Sequence, residues 1–304
     1  MGVRMIYPAD LVSPFQVDDA FKDEAEQSGA GVILFDQYNS RLVRSGSIVS
    51  GDKFLYRGWI LSADDYSVLE DLINSCGASL VVSSVEYVKS QFMNFWYEAF
   101  KSVTPVTEFV DYGVSGSEIF GVASSMGCEK FYVKGVSKSL KNYSIDYSVA
   151  GSVDDVVRVV NNFRSVVSQS EEQVIAVREF EDWSDTEFRT WWVNGSLVRV
   201  EFHPDTFSTL MNDAVSEFGV EVEVEAVMSS LGDFTDRVYS CSGVLGEIGD
   251  GLRSLGLSFA AVDVVFDNVG NLRVVEVGSG QVCDTVAGFF NIFDLGELGS
   301  CFSS

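Results

Sequence analysis

The chain has 304 residues, and its 46% hydrophobic content with 23 Phe excludes a disordered protein, because disordered chains are poor in hydrophobic residues. Its net charge of −25 excludes nucleic acid and anionic membrane as expected partners, because their phosphate charge needs Lys or Arg to neutralise it. No apolar run reaches the ~20 residues that a membrane-spanning helix needs, and the first residues lack a secretory cleavage pattern, so we expect a cytoplasmic protein.

The first part of the chain, residues 1–104, alternates predicted strands and helices. Ser62 is the expected N-cap of a helix that ends near Gly77, with acidic residues in its first turn. The alternation predicts a parallel sheet flanked by helices. The expected strands are 3–7, 31–35, 53–60 and 79–82, and the expected helices are 17–27, 62–75 and 86–101.

The second and third parts, residues 105–173 and 174–304, have a different pattern, and Thr104-Pro105 marks the first boundary. The third part is richer in alternating strands, and Asn194-Gly195 predicts a tight hairpin turn. The fold class is therefore α/β followed by α+β. The expected strands are 106–110, 130–134, 174–180, 187–193, 197–202, 258–266 and 271–277, and the expected helices are 117–126, 153–167 and 244–255.

Cysteine and histidine are poorly suited to metal or triad chemistry in this sequence. The five cysteines are scattered without a CxxC pair, which suggests reduced thiols. His203 is the one histidine in the chain, so a zinc site is not expected and any triad would have to use it. We expect His203 to be structural or exposed.

The last predicted hairpin carries two carboxylates in otherwise apolar strands. Asp263 lies in the run Phe-Ala-Ala-Val-Asp-Val-Val-Phe, and Glu276 lies in Arg-Val-Val-Glu-Val-Gly-Ser-Gly. A short turn between them lets the hairpin place both acids on one face, where buried carboxylates need a partner or a metal ion. Such a pair suits magnesium, which binds carboxylate and phosphate oxygens. The alternative is a pair of outward-facing acids on an edge hairpin.

The first strand of the third part turns acidic at its end, in the run Glu179-Phe180-Glu181, and Glu187 and Arg189 follow on the next strand. An adenosine needs backbone hydrogen bonds for its base and carboxylates for its ribose hydroxyls. The forked guanidinium of an arginine beside them matches phosphate oxygens. The alternative is an ordinary charged hairpin.

Three lysines fall within eight residues at the end of an apolar strand, at Lys134, Lys138 and Lys141. Lys134 is well placed to contact a phosphate, and the hydroxyl-rich loop after it could cover phosphates with backbone N–H groups. The alternative is a solvated basic loop. The sequence has no Walker A motif and no GxGxxG after a strand, so neither a P-loop nor a Rossmann site is indicated.

The order of these features resembles the ATP-grasp superfamily over residues 85–285, and residues 1–84 are similar to the α/β domain that usually precedes it. Three motifs resemble the bacterial and phage clade named for an arginine and two lysines. They are Tyr-Arg-Gly-Trp around Arg57, the lysine loop, and the ending Val-Glu-Val-Gly-Ser-Gly-Gln-Val. The resemblance implies an ATP-grasp fold in which two lobes hold ATP. The implied parts are an N-terminal parallel-sheet domain (1–104), a small lobe (105–173) and a large lobe with the metal site (174–304).

The resemblance also implies a nucleotide role for matching residues. Lys134 resembles the phosphate-binding lysine of the small lobe, and Lys89 resembles the second nucleotide lysine. Lys138 and Ser139 would lie in the loop over the phosphates. The implied adenosine contacts are Glu179, Phe180, Glu181 and Glu187.

For the reacting groups, the resemblance places Arg189 near the transferred phosphate and assigns Mg²⁺ to Asp263 and Glu276. One departure from the family pattern concerns metal binding. The family usually ends in Glu-x-Asn, with the Asn as a further ligand, whereas this chain has Gly278. A neighbouring side chain or water would have to replace it, or a second metal would be held weakly.

The implied function is an ATP- and Mg²⁺-dependent carboxylate–amine ligase that acts through an acyl phosphate on a small amino-acid or peptide substrate. Arg57 is a candidate for holding a substrate carboxylate, or else it supports the sheet edge. Two alternatives remain open. Gly278 suggests a non-catalytic nucleotide-binding or interaction protein, and Lys134-Gly135 suggests a lysine–AMP nucleotidyltransferase.

Overall fold

The computed structural model of the protein describes residues 3–28, 32–44, 47–137, 144–169, 172–210, 234–286 and 288–293. These residues form three sheets, which we call the N-terminal, middle and C-terminal sheets. In this part of the chain, no helix combines the length and apolar character needed to cross a membrane. The α-helices with defined ends are α1 (Lys22–Gln27), α2 (Ala63–Ser75), α3 (Ser84–Gln91), α4 (Met93–Phe100), α5 (Gly116–Met126), α6 (Val153–Val166), α7 (Ser242–Leu255) and α8 (Phe289–Ile292).

The N-terminal sheet has the order β3-β2-β1-β4-β5. Its central strands pair in parallel, as the βαβ pattern predicts, and their apolar runs are buried on both faces. The edge strand β3 is antiparallel to β2 and was not predicted from the sequence. The strands are β1 (Val3–Pro8), β2 (Ile33–Asp36), β3 (Arg41–Arg44), β4 (Lys53–Tyr56) and β5 (Ser79–Leu80).

The helix predicted at 86–101 is two helices, α3 and α4. Phe92 between them has an extended backbone (φ −110°, ψ 119°). The N–H of Met93 donates to the Val136 carbonyl at 2.8 Å, so the break ties this segment to the middle sheet. Ser83 and Glu86 form a capping box that starts α3, which explains why the helix begins where it does.

The middle sheet is antiparallel, with the order β6-β9-β7-β8. One face packs on α5 and α6 around buried Val, Ile and Phe side chains, and the other faces the C-terminal sheet. The sheet continues to Glu179, past the predicted domain boundary at 174. The strands are β6 (Thr107–Asp111), β7 (Phe131–Gly135), β8 (Val149–Ala150) and β9 (Val174–Glu179).

The C-terminal sheet is antiparallel, with the order β11-β10-β12-β13. Asn194 and Gly195 both have positive φ, 48° and 69°, so the predicted tight turn joins β10 to β11. Phe188 and Trp192 of β10 point into the core that α4 and α7 cover. The strands are β10 (Trp183–Val193), β11 (Ser196–Phe202), β12 (Phe259–Asp267) and β13 (Leu272–Ser279).

Candidate active site

Asp263 on β12 and Glu276 on β13 are direct cross-strand partners. Residues that oppose each other in an antiparallel pair point to the same face of the sheet. Asp263 is buried, whereas the side chain of Glu276 keeps 36% of its surface exposed. The hairpin therefore puts the two carboxylates side by side, as the sequence predicts, with one of them open to solvent.

A one-residue bulge in β13 creates this pairing. On the turn side of the bulge Val264 pairs with Val274, whereas on the far side Asp263 pairs with Glu276, so Val275 is the extra residue. A one-residue change of register moves every following side chain to the other face. Without the bulge, Asp263 would oppose Val275 and Glu276 would point away from it.

Arg178 on β9 of the middle sheet holds the carbonyl groups of this bulge. Its Nη1 donates to the Val275 carbonyl at 3.0 Å, and its Nη2 donates to the Val274 carbonyl at 3.0 Å and to Thr104 Oγ1 at 2.6 Å. Burial lowers the pKa of Arg178 to about 10. Local sequence gives no reason to assign Arg178 a role, because its partners are two backbone carbonyls and one hydroxyl that are all distant from it in the sequence.

Arg189 lies directly opposite Asp263, on β10. Its Nε and Nη2 donate to the two oxygens of Asp263 at 2.8 and 2.9 Å, and its Nη1 donates to the Asp284 carbonyl at 2.8 Å. Burial acts to lower the pKa of Arg189, but the charge and hydrogen bonds of Asp263 outweigh it and raise that pKa above its ordinary value. The guanidinium is therefore fixed as a cation beside the carboxylate pair.

Lys134 on β7 contacts the same pair from the middle sheet. Its Nζ lies 3.1 Å from Glu276 Oε2, and its side chain is 4% exposed. The residues after it lead toward the loop that the sequence predicts over the phosphates. Lys138 and Ser139 lie outside the described residues.

Glu172 anchors the start of that loop. Its carboxylate accepts hydrogen bonds from the backbone N–H and hydroxyl of Ser137, at 3.3 and 2.9 Å. Burial raises the pKa of Glu172, and the bonds from Ser137 oppose that shift. A side chain at Gly135 would collide with the Glu172 carboxylate, which would have to move away from its present position.

The predicted hinge residues connect the middle sheet to the C-terminal sheet. The N–H groups of Glu179 and Phe180 donate to the Val106 and Lys130 carbonyls at 2.7 and 2.9 Å. The ammonium of Lys130 lies 3.5 Å from the centre of the Phe180 ring. Glu181 accepts two hydrogen bonds from an arginine of β13, so this acid already has a cationic partner.

Glu187 and His203 converge on Asp263. One potential ligand atom from each of the three side chains lies within 4.8 Å of the other two. The sequence predicts that His203 is structural or exposed; the structure excludes the exposed alternative, because His203 is buried, and its Nε2 is 3.7 Å from Asp263 Oδ2. Strand alternation was the available signal, because it places His203 on the same face as Glu201, the cross-strand partner of Arg189.

Two other predicted site residues contact protein groups elsewhere. The guanidinium of Arg57 donates to the Glu24 carboxylate and to the carbonyls of Gln281 and Cys283, so it ties the N-terminal sheet to the segment after β13. Lys89 Nζ donates to the Leu255 carbonyl at the end of α7, at 2.9 Å. The structure does not bring Lys89 to the Asp263–Glu276 pair.

Gly278 follows Glu276 by two residues and shares its face of β13. A Cβ atom at this position would lie 3.0 Å from Cys283 Sγ and 3.7 Å from Gln91 Oε1. Burial raises the pKa of the Cys283 thiol to about 12, so this neighbour is a neutral thiol. A Cβ atom at position 278 would therefore require the Cys283 side chain to shift by a few tenths of an ångström.

Known proteins resemble this chain in sequence and in fold. A family of ATP-grasp domains, family 3 of the clade named for an arginine and two lysines, matches residues 125–294. A comparison with curated proteins finds no significant match.

Solved structures resemble the whole chain. D-cycloserine synthetase DcsG has a TM-score of 0.55 at 14% identity, and the match covers 98% of this chain and 97% of the DcsG chain. The ATP-grasp ligase PsnB complexed with a minimal precursor has a TM-score of 0.53 at 10% identity and covers 99% of both. D-alanyl-alanine synthetase A from Vibrio cholerae has a TM-score of 0.55 at 11% identity, and the match covers 100% of this chain and 98% of the synthetase. The fold is therefore that of ATP-grasp ligases, and the chain belongs to family 3 of the arginine-and-two-lysine clade of ATP-grasp domains.

Proposed function

We propose that the protein is an ATP-dependent carboxylate–amine ligase that acts on an amino acid or a peptide. The observation that carries the proposal is a set of two cations and two carboxylates where the middle and C-terminal sheets face each other. Lys134 reaches Glu276 at 3.1 Å, and Arg189 binds Asp263 at 2.8 and 2.9 Å. Phosphoryl transfer depends mainly on such positioned charges rather than on a protein nucleophile.

The residues fit magnesium. Asp263 and Glu276 offer adjacent carboxylate oxygens, which this hard cation prefers, and Glu276 is open to solvent. Each carboxylate oxygen that accepts one hydrogen bond keeps a further lone pair for a cation. When bound there, magnesium would neutralise phosphate charge during the transfer.

The same geometry supports a nucleotide between the two sheets. Lys134 would exchange Glu276 for an ATP phosphate oxygen, which frees the carboxylate for the metal. The hinge from Glu179 to Glu181 would meet the adenine, and Glu187 would accept from the ribose hydroxyls. Lys138 and Ser139 would lie over the phosphates.

The reaction needs two displacements. A substrate carboxylate oxygen attacks the γ-phosphorus of ATP, the bond to the β–γ bridging oxygen breaks, and ADP leaves. An amine then attacks the carbonyl carbon of the acyl phosphate, loses a proton and displaces inorganic phosphate to give an amide. Arg189 and Lys134 offset the negative charge that develops on the transferred group.

The test is ADP release from the full chain with Mg²⁺, ATP and a panel of amino acids and short peptides. These are the first substrates to try because similar folds include D-alanyl-alanine synthetase and a ligase complexed with a peptide precursor. Hydroxylamine should convert the acyl phosphate to a hydroxamate in reactions that contain the right carboxylate. Substrate-independent ADP release without hydroxamate would contradict the ligase proposal.

A non-catalytic nucleotide-binding protein is the second candidate. The observation that favours it is Gly278, because a glycine offers no third metal ligand on β13 and a Cβ atom there would lie 3.0 Å from Cys283 Sγ. A rise in melting temperature with Mg²⁺-ATP, with no ADP released across the whole panel, would favour this candidate over the ligase.

A further inference from the structure

Glu187, His203 and Asp263 form a compact group with both oxygen and nitrogen donors. Their potential ligand atoms lie within 4.8 Å of one another, and the His203 Nε2 to Asp263 Oδ2 distance is 3.7 Å. Two ligands of one tetrahedral zinc ion at ~2.05 Å are separated by about 3.3 Å. The group would therefore have to contract by up to about 1.5 Å to hold one ion.

The three side chains come from neighbouring parts of one sheet. Glu187 is on β10, Asp263 is opposite β10 on β12, and His203 follows β11, with its N–H donating to the Glu187 carbonyl at 2.9 Å. The two carboxylates carry two negative charges, and Arg189 bonds one of them with a single positive charge. A bound cation would add positive charge beside these two carboxylates in this largely buried region.

We propose that these residues bind a divalent transition-metal ion such as Mn²⁺ or Zn²⁺, at a site separate from the Asp263–Glu276 pair but sharing Asp263. An imidazole nitrogen favours transition metals, whereas Mg²⁺ prefers sites built only from oxygen. On the face of β13 that carries Glu276, the next position is Gly278, which has no side chain and so offers no further ligand. The proposal does not depend on the ligase reaction, since all its ligands belong to the protein.

Metal binding through Nε2 places the histidine proton on Nδ1. Asp205 lies at that nitrogen, with its carboxylate Oδ2 3.8 Å away and its backbone N–H at 3.2 Å. That N–H donates to Nδ1 in the structure, so a proton on Nδ1 requires the Asp205 backbone to turn away while its 71% exposed side chain rotates and its carboxylate accepts the proton. Carboxylates in this position orient metal-bound histidines, and their loss typically weakens binding about 10- to 100-fold.

The experiment titrates the full chain with Mn²⁺ alone, without ATP or substrate, and records pulsed EPR spectra. We expect one tight Mn²⁺ with a nitrogen coupling from the imidazole. His203→Gln should remove the coupling and weaken binding at least about 10-fold, and Asp205→Asn should weaken binding with the coupling kept. Glu276→Gln should keep the coupling, because Glu276 is outside the group.

Glu187→Gln is a second variant that does not alter the histidine, and it should also weaken Mn²⁺ binding about 10-fold with the coupling retained. The absence of nitrogen coupling in the wild-type protein would overturn the proposal. So would unchanged Mn²⁺ affinity in both His203→Gln and Glu187→Gln. Neither result would contradict the ligase proposal, which is tested separately by ADP release with Mg²⁺.

Discussion

Two buried arginines hold neighbouring parts of the site in different ways. Arg189 binds the carboxylate of Asp263 with two hydrogen bonds, and its pKa is raised. Arg178 binds carbonyl groups and a hydroxyl, and burial lowers its pKa to about 10. One arginine therefore balances the charge of an acid directly, whereas the other acts on backbone geometry.

The difference shows two ways in which a charged residue supports an active site. Arg178 stabilises the bulge at Val275, and that bulge turns Glu276 to the face of Asp263. Arg189 does not affect the register and sets the charge next to Asp263. Replacing Arg189 should therefore affect both chemistry and stability, whereas replacing Arg178 should affect mainly stability.

The largest expected effect follows Arg189→Met. We expect ADP release to fall about 1,000-fold, equivalent to about 4 kcal/mol, because the variant loses the charge that we propose lies beside the transferred phosphate. Asp263 is then buried without its cation, so the free energy of unfolding should fall by about 3 kcal/mol. Adding Asp263→Asn should recover part of that stability in denaturant unfolding but none of the activity. Recovered activity would contradict a role for both residues in the chemistry.

Arg178→Met tests the structural arginine of the pair. It removes three hydrogen bonds and leaves the bulge carbonyls without this donor, so the free energy of unfolding should fall by about 3 kcal/mol. Urea unfolding measures the change. Arg158→Met is the matched control, since this half-exposed arginine bonds a neighbouring acid on α6 and should cost less than about 1 kcal/mol. If Arg178→Met lowered the free energy of unfolding no more than Arg158→Met does, the hydrogen bonds of Arg178 would not be needed to stabilise the bulge.

A smaller effect is expected from Thr104→Val. This nearly isosteric change removes the hydroxyl that accepts from Arg178 and donates to the Val274 carbonyl at 2.8 Å. The unfolding free energy should fall by about 1 to 2 kcal/mol. Thr209→Val, at an exposed helical position, should change stability by less than about 0.5 kcal/mol. A Thr104 variant as stable as the wild type would remove the hydroxyl from the support of the bulge.

The smallest effect is expected from Lys89→Met. Its ammonium contacts the carbonyl end of α7 rather than the carboxylate pair, so stability should fall by about 0.5 kcal/mol through the helix terminus. ATP affinity, measured by calorimetry, should stay within about twofold of the wild type. A tenfold loss of affinity would instead support the nucleotide role that the sequence resemblance implies for Lys89.

The sequence predicts this site unevenly. The apolar strands and their short turn are enough to place Asp263 and Glu276 on one hairpin. The bulge at Val275 is not predictable from a period of two, because one extra residue changes no local pattern. The contacts of Arg178 depend on how separate sheets pack, so local sequence gives it no role. For His203, strand alternation predicts only which face of the sheet it shares, and its contact with Asp263 depends on the pairing of separate strands.

The same holds for the fold. Buried runs predict the central parallel strands of the N-terminal sheet, whereas the short polar edge strand β3 carries no such signal. The apolar and helix-favouring residues around Phe92 hide the break between α3 and α4. That break is set by a tertiary hydrogen bond from Met93 to Val136.

The role of the carboxylate pair in metal-dependent phosphoryl transfer is tested by Mg²⁺-dependent ADP release from Asp263→Asn and Glu276→Gln, with the exposed Asp250→Asn as control. We expect each site variant to unfold as cooperatively as the wild type but to release ADP at least about 1,000-fold more slowly, while the control is unchanged. Undiminished Mg²⁺-dependent ADP release in both site variants would contradict the assignment.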